Sequence, residues 1–220
     1  MIHGNLVRLR ALTTADLPML VEWRNDPEIK TLLGGWSFPV SLEAEQEWFE
    51  KARHSQSTRR LAIEVLADGC YIGNIGLYDI DWKNRKAEYG ILIGDKTAWG
   101  KGYGLDASTA LLAYAFRELN LHRVFLRVLA HHGRAIRLYE KIGFQAEGRL
   151  RHDLFRGGSY QDTLIMGIVA SEFDGCRHPA LVSGANSVSP RLADTGSLLA
   201  VVSVSQLTAE CPMSPTAGLR

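Results

Sequence analysis

Hydrophobic and polar positions alternate over residues 5–11, with Val7 and Leu9 on one side and Leu6, Arg8 and Arg10 on the other, the period of a β-strand. From Thr14 the period lengthens. Residues 14–16 supply capping groups, and Leu17, Leu20, Val21 and Trp23 or Arg24 follow at near-helical spacing until Asn25-Asp26-Pro27 ends the run. Ser41 caps a second predicted helix through Ala44, Trp48, Phe49 and Ala52, whose first turn is acidic where the helix dipole favours negative charge. Three strand-like runs follow, 60–66, 71–78 and 87–93, separated by Ala67-Asp68-Gly69 and by Lys83-Asn84, and they read as an antiparallel meander.

Leu105, Ala107 or Ser108, Leu111, Leu112, Ala115 and Phe116 place one apolar stripe on a helix over 105–119. A short buried strand is predicted at 124–129, then a helix over 134–141 that stops at Gly143, where a left-handed residue commonly closes a helix. Phe144 begins a further strand, and the last covers 162–169. The order β-α-α-β-β-β-α-β-α-β-β describes an α+β domain, a mixed sheet flanked by helices rather than a doubly wound parallel one. After Phe173 the chain turns to Ser, Gly, Pro, Ala and Thr and loses helical periodicity. Residues 1–173 are therefore read as one domain, and 174–220 as a low-complexity tail expected to be disordered. Within that tail the apolar run 198–204 could add a strand to an exposed edge or dock on another subunit.

Composition narrows the function. The chain has 220 residues, 46% of them hydrophobic, enough for a core of its own. Its 25 basic and 24 acidic residues leave a net charge of +1, so no nucleic-acid partner is expected and any anion site must be local. The first residues lack the apolar core of a signal peptide, and no window offers the roughly 20 apolar residues that span a bilayer, so no membrane partner is expected and a cytoplasmic location is. Cys70, Cys176 and Cys211 have no metal-ligand spacing; the expectation is a reduced compartment and no metal.

The chemistry concentrates in two stretches. Trp99-Gly100-Lys101-Gly102-Tyr103-Gly104 lies between a strand ending near Ile93 and a helix beginning near Leu105. Alternate glycines let backbone N–H groups converge at a helix N-terminus, which suits a pyrophosphate, with Lys101 at hand to neutralise it. Alone, the segment also reads as a simple tight turn. A dinucleotide fingerprint would need a third glycine where Leu105 stands, and a Walker loop needs Gly-Lys followed by Ser or Thr. The second stretch is Arg134-Ala135-Ile136-Arg137-Leu138-Tyr139-Glu140-Lys141-Ile142-Gly143-Phe144.

Together these stretches resemble motifs A and B of the GNAT superfamily of N-acetyltransferases. Gly102 and Gly104 match motif A, with Trp99 at the place of its usual Gln or Arg, and motif B is matched almost residue for residue. Trp23-Arg24-Asn25-Asp26-Pro27-Glu28 and Asp162-Thr163-Leu164-Ile165-Met166 are similar to the subgroup of ribosomal-protein N-terminal and spermidine acetyltransferases, so the resemblance covers about residues 5–173.

The resemblance implies a twisted, mostly antiparallel central sheet whose fourth and fifth strands, 87–93 and 124–129, splay apart. It implies acetyl-CoA as co-substrate, with its pyrophosphate on Trp99, Gly100, Lys101, Gly102, Tyr103 and Gly104. The pantetheine arm would pair with the backbone of Ile91, Leu92 and Ile93. His132 stands where the family has an Asn that bonds this arm, beside Ala135. Tyr139 falls on the tyrosine that protonates the departing thiolate, and Gly90 on a frequent β-bulge that aims an N–H at the thioester oxygen; the glycine reads equally as one tolerated in a twisted strand.

An amine must lose a proton before attack, so a base or a water path to one is required. Glu88, sharing a strand face with Gly90 and Leu92, is the first candidate, with a solvated strand-end carboxylate as the plainer alternative. Trp36, Trp48 and Trp82 either line an acceptor pocket or fill core, and His122 and His131 read as structural. The expected partner is an amine, either a protein N-terminus, a polyamine or another small amine, acted on by a monomer or homodimer. The competing readings are a catalytically silent acyl-CoA sensor and an interaction domain that binds no nucleotide.

Overall fold

The computed structural model describes residues 1–33 and 38–174. Trp36, Cys176, Cys211 and the 198–204 run lie outside the described residues. The strands are β1 (Ile2–His3), β2 (Val7–Ala11), β3 (Arg59–Val65), β4 (Tyr71–Asp81), β5 (Lys86–Ile93), β6 (Arg123–Leu129), β7 (Gln145–Arg156) and β8 (Ser159–Val169). The helices are α1 (Leu17–Asn25), α2 (Pro27–Leu32), α3 (Leu42–His54), α4 (Tyr103–Arg117) and α5 (Gly133–Ile142).

The strands form one sheet in the order β1-β2-β3-β4-β5-β6-β8-β7. Every neighbouring pair is antiparallel except β5 and β6, which are parallel and therefore need the crossover that α4 supplies. Alternation along the strands divides the two faces. Leu9, Ile63, Ile75, Leu77, Tyr89 and Leu126 are buried on the face covered by α4 and α5. On the other face, Arg60 meets Glu45 of α3 at 3.6 Å and lies 4.3 Å from the ring centre of Trp48. Glu45 also holds the buried Arg24 of α1, so the polar side of this face is paired across three elements.

Several boundaries differ from the sequence reading for local reasons. Thr13 rather than Thr14 caps the first helical turn, because Asp16 folds back to accept from the Thr13 N–H at 2.8 Å and its hydroxyl at 2.9 Å. Asp26-Pro27 ends α1 and also starts α2: the Asp26 carboxylate accepts from the N–H groups of Glu28 and Ile29 at 2.9 and 3.0 Å, with proline in the first helical turn. The strand opening after Phe144 runs to Arg156, although nearly all of it is exposed, because the hairpin with β8 satisfies its backbone.

The N-terminal turn is tied to the start of α4 by one carboxylate. Asp106 accepts from the N–H groups of Asn5, Leu6 and Val7 at 3.0, 2.8 and 3.0 Å, and Gly4 leaves room for it, since a Cβ there would lie 2.2 Å from its oxygen. Removing the acceptor strands these donors in a buried or half-buried setting. Asp106→Ala is expected to cost about 3–5 kcal/mol and to lower the midpoint of thermal unfolding by about 10 °C, measured by calorimetry.

Candidate active site

The ladder between β5 and β6 is short. It pairs Lys86 with Arg123, Ala87 with Val124 and Glu88 with Phe125, and beyond that point the strands diverge. The remainder of β6 pairs only with β8, so the sheet carries an internal gap lined by 89–93 on one side and 126–129 on the other. Gly94 N–H donates to Ile72 O at 2.9 Å, and the alternation of an antiparallel ladder then assigns the main-chain groups of Gly90 and Leu92 to β4. Those of Ile91 and Ile93 turn toward the gap, where the Ile93 carbonyl accepts from the Trp99 indole N–H at 2.9 Å. An extended ligand could therefore add as a strand along Ile91 and the Ile93 N–H, whereas the polar backbone of Leu92 is spent on β4.

At the open end of β5 the chain makes the glycine turn. Gly100 and Gly102 have φ of 81° and 85°, left-handed values that favour glycine. Gly102 is the N-cap of α4 and offers no side-chain acceptor, so the N–H groups of Tyr103, Gly104 and Leu105 emerge uncapped at the positive end of a fifteen-residue helix. The helix thus starts two residues earlier than its apolar stripe suggests, and Gly104 lies inside the first turn. Lys101 is exposed beside these donors. The donor set fits a diphosphate.

Glu88 and Tyr139 flank the vertex of the gap from opposite faces. Glu88 is the last residue of β5 paired to β6 and is buried on the α1 and α3 face, opposite Tyr78 and Phe125. Tyr139 of α5 is 1% exposed on the other face, its ring at 6.0 Å from Tyr89 and 5.7 Å from Phe144. Burial, followed by the nearby Tyr89, pushes the Tyr139 phenol well above its ordinary pKa. The Tyr89 hydroxyl is instead engaged with Ser108 Oγ at 2.5 Å, and Ser108 donates to the Gly104 carbonyl at 2.6 Å. That link between the vertex and the glycine turn was not legible beforehand: Ser108 reads only as part of a helix stripe.

The bulge expected at Gly90 is absent on its β4 side. Gly90 faces Gly76 in unbroken register, and the irregularity falls between Tyr78 and Asp81. Beside it, a Cβ on Gly76 would sit 2.6 Å from the Arg59 carbonyl oxygen and 3.1 Å from the Tyr78 ring, which folds over that glycine, and the Tyr78 hydroxyl accepts from Arg60 at 3.3 Å.

His132 is the N-cap of α5 and its Nδ1 accepts from the Ala135 N–H at 3.4 Å. Both residues are buried at the end of β6, on the far side of the gap from Ile91. Trp48 stacks on Arg60 and Trp82 is 49% exposed with its N–H on Gln56 O at 3.3 Å, so neither is placed at the vertex. Trp23 was missed as a neighbour of the site; its indole would lie 1.9 Å from a Cβ on Gly94, and only glycine there admits it. Among the described residues no group of His, Cys, Asp and Glu could hold a metal ion, and no helix is long and apolar enough to cross a membrane.

Comparison with known proteins bears on this geometry. The model of the acetyltransferase (GNAT) domain matches residues 7–145. The spermidine N(1)-acetyltransferase of Vibrio cholerae is 33% identical over 165 residues, covering 75% of this chain and 94% of that protein. Its counterpart from Escherichia coli K12 is 30% identical over 173 residues, covering 79% and 91%. The crystal structure of the Vibrio cholerae spermidine N-acetyltransferase in complex with CoA and spermine superposes with a TM-score of 0.71 at 32% identity, covering 77% of this chain and 98% of that one.

Proposed function

Because the chain belongs to the acetyltransferase (GNAT) domain family and moves the acetyl group of acetyl-CoA to a primary amine, we propose that its acceptor is a small aliphatic polyamine. The similarity to spermidine acetyltransferases over nearly their whole length supports that acceptor. Acetyl-CoA supplies the thioester. The residues suited to hold it are the uncapped N–H groups of Tyr103, Gly104 and Leu105, with Gly100 and Gly102 shaping the turn, Lys101 and Trp99 beside it, the gap-facing backbone of Ile91 and Ile93, and His132 and Ala135 across the gap.

The observation that carries the mechanism is the vertex, approached by a carboxylate from one face and a phenol from the other. On the α1 and α3 face, Glu88 serves as the base, directly or through water, that takes the proton of an incoming ammonium. On the α4 and α5 face, Tyr139 keeps its proton because burial raises its pKa, and it is placed to give that proton to a departing thiolate. Proton acceptor and proton donor are thus separated by the sheet, which fits acceptor entry on one side and release of the thiol on the other.

A free-thiol assay with acetyl-CoA and a panel of spermidine, spermine, an amino sugar and a short peptide with a free N-terminus tests this reading. The polyamines are expected to give a kcat/KM at least about tenfold above the others, a difference of about 1.4 kcal/mol in transition-state binding. A preference for the peptide would replace the polyamine as acceptor. Stabilisation by acetyl-CoA in thermal unfolding, with no thiol released by any amine, would favour the silent sensor.

A further inference from the structure

The two ends of α2 are anchored on opposite sides of the gap. At its start, the carboxylates of Asp26 and Glu28 each lie 2.8 Å from Lys96 Nζ, in the turn that follows β5, while Trp23 just before it packs on Gly94. At its end, Arg156 Nη1 donates to the carbonyls of Lys30 and Thr31 at 3.0 and 2.9 Å. Arg156 is the last residue of β7, paired with Ser159 across the hairpin turn. The pairing of β6 with β8 stops at Leu129 and Thr163, so the hairpin tip projects past the end of β6. Between Lys96 on one side and Arg156 on the other lies the mouth that β5 and β6 leave open.

A helix of six residues does not hold itself together in water, and its last carbonyls have no intrahelical donors. A guanidinium is suited to that position, since it supplies N–H groups in a planar fork and a positive charge at the negative end of the helix. The contact joins residues about 125 positions apart, through a half-buried Arg156 at an otherwise exposed hairpin tip outside the hydrophobic core.

We propose that Arg156 is a positioning residue for the amine acceptor: by clasping the last turn of α2 it fixes the wall of the mouth between β5 and β6. The proposal rests on the reading of this gap as the transfer site. Arg156 acts through α2, and its Nη1 is directed at backbone carbonyls.

The test compares wild type, R156A and R156K in steady-state kinetics with amine and acetyl-CoA varied separately, together with deuterium uptake at residues 27–32. R156A is expected to raise the KM for the amine about tenfold, with kcat and the KM for acetyl-CoA each within about twofold, and to exchange faster over α2. R156K keeps a cationic donor and is expected to recover most of the lost amine KM. An unchanged amine KM, an equal rise in both KM values or unaltered uptake over 27–32 would overturn the clasp. Uptake needs no substrate, so a wild type that acetylates no amine strikes the functional reading alone, and the exchange data still decide the clasp.

Discussion

Tyr139→Phe lowers kcat about a hundredfold while the KM for acetyl-CoA stays within about threefold. The substitution removes one hydroxyl and leaves the ring, which is 1% exposed and packed edge-on to Tyr89 and Phe144, so the core keeps its shape. The hydroxyl matters because its burial holds the proton on: the phenol is pushed well above its ordinary pKa of about 10, chiefly by desolvation and then by Tyr89. A group whose pKa is raised stays neutral as pH climbs through the usual tyrosine range. The wild-type kcat should therefore show no loss from phenol ionisation between about pH 7 and 9, and the variant should be slow across that whole window. Tyr89→Phe is the control for a merely structural effect, because it breaks the bond to Ser108 and keeps the Tyr139 hydroxyl. Turnover equal to wild type in the Tyr139 variant would leave that residue as packing alone.

What the sequence disclosed follows from how local each determinant is. The glycine turn, the motif-B helix and most of the succession of elements along the chain were legible because each is set by neighbours in sequence: positive φ at Gly100 and Gly102, a left-handed Gly143 with φ 113°, an apolar stripe on α4. Two features were not: β1, which is two residues long and pairs only at an edge, and the full run of the strand after Phe144 to Arg156, which shows no apolar alternation because almost none of β7 is buried. Asp26-Pro27 carries a stop and a start signal at once, and only the three-dimensional cap shows that both apply. The site itself divides the same way. Residue types at Glu88 and Tyr139 suggested acid–base chemistry, but their approach to the vertex from opposite faces depends on where the β5–β6 ladder stops, a property of two strands that pair 37 positions apart. The irregularity in the β4–β5 ladder likewise falls between Tyr78 and Asp81 rather than at Gly90, a matter of how two strands pair.

Gly102→Asp weakens acetyl-CoA binding about thirtyfold, read as the midpoint of ligand-induced stabilisation or as the KM at fixed amine. Aspartate is among the residues that tolerate the left-handed backbone required at φ 85°, so the fold should survive the change. What it introduces is a carboxylate in front of the uncapped N–H groups of Tyr103, Gly104 and Leu105, where a diphosphate would lie. Two unit charges about 5 Å apart repel by about 3 kcal/mol at an effective dielectric of 20, and solvent at this open turn reduces that to about 2 kcal/mol. Gly102→Ala isolates the backbone contribution: its Cβ would stand at an ordinary 3.6 Å from Leu6 Cδ1, so it should cost about 1 kcal/mol in stability and change cofactor affinity by less than about threefold. The deficit of the aspartate variant should shrink as salt is raised, whereas that of the alanine variant should not. Equal affinity of wild type and Gly102→Asp at low salt would mean that the diphosphate is held somewhere other than the start of α4, and the reading of the gap would lose its anchor.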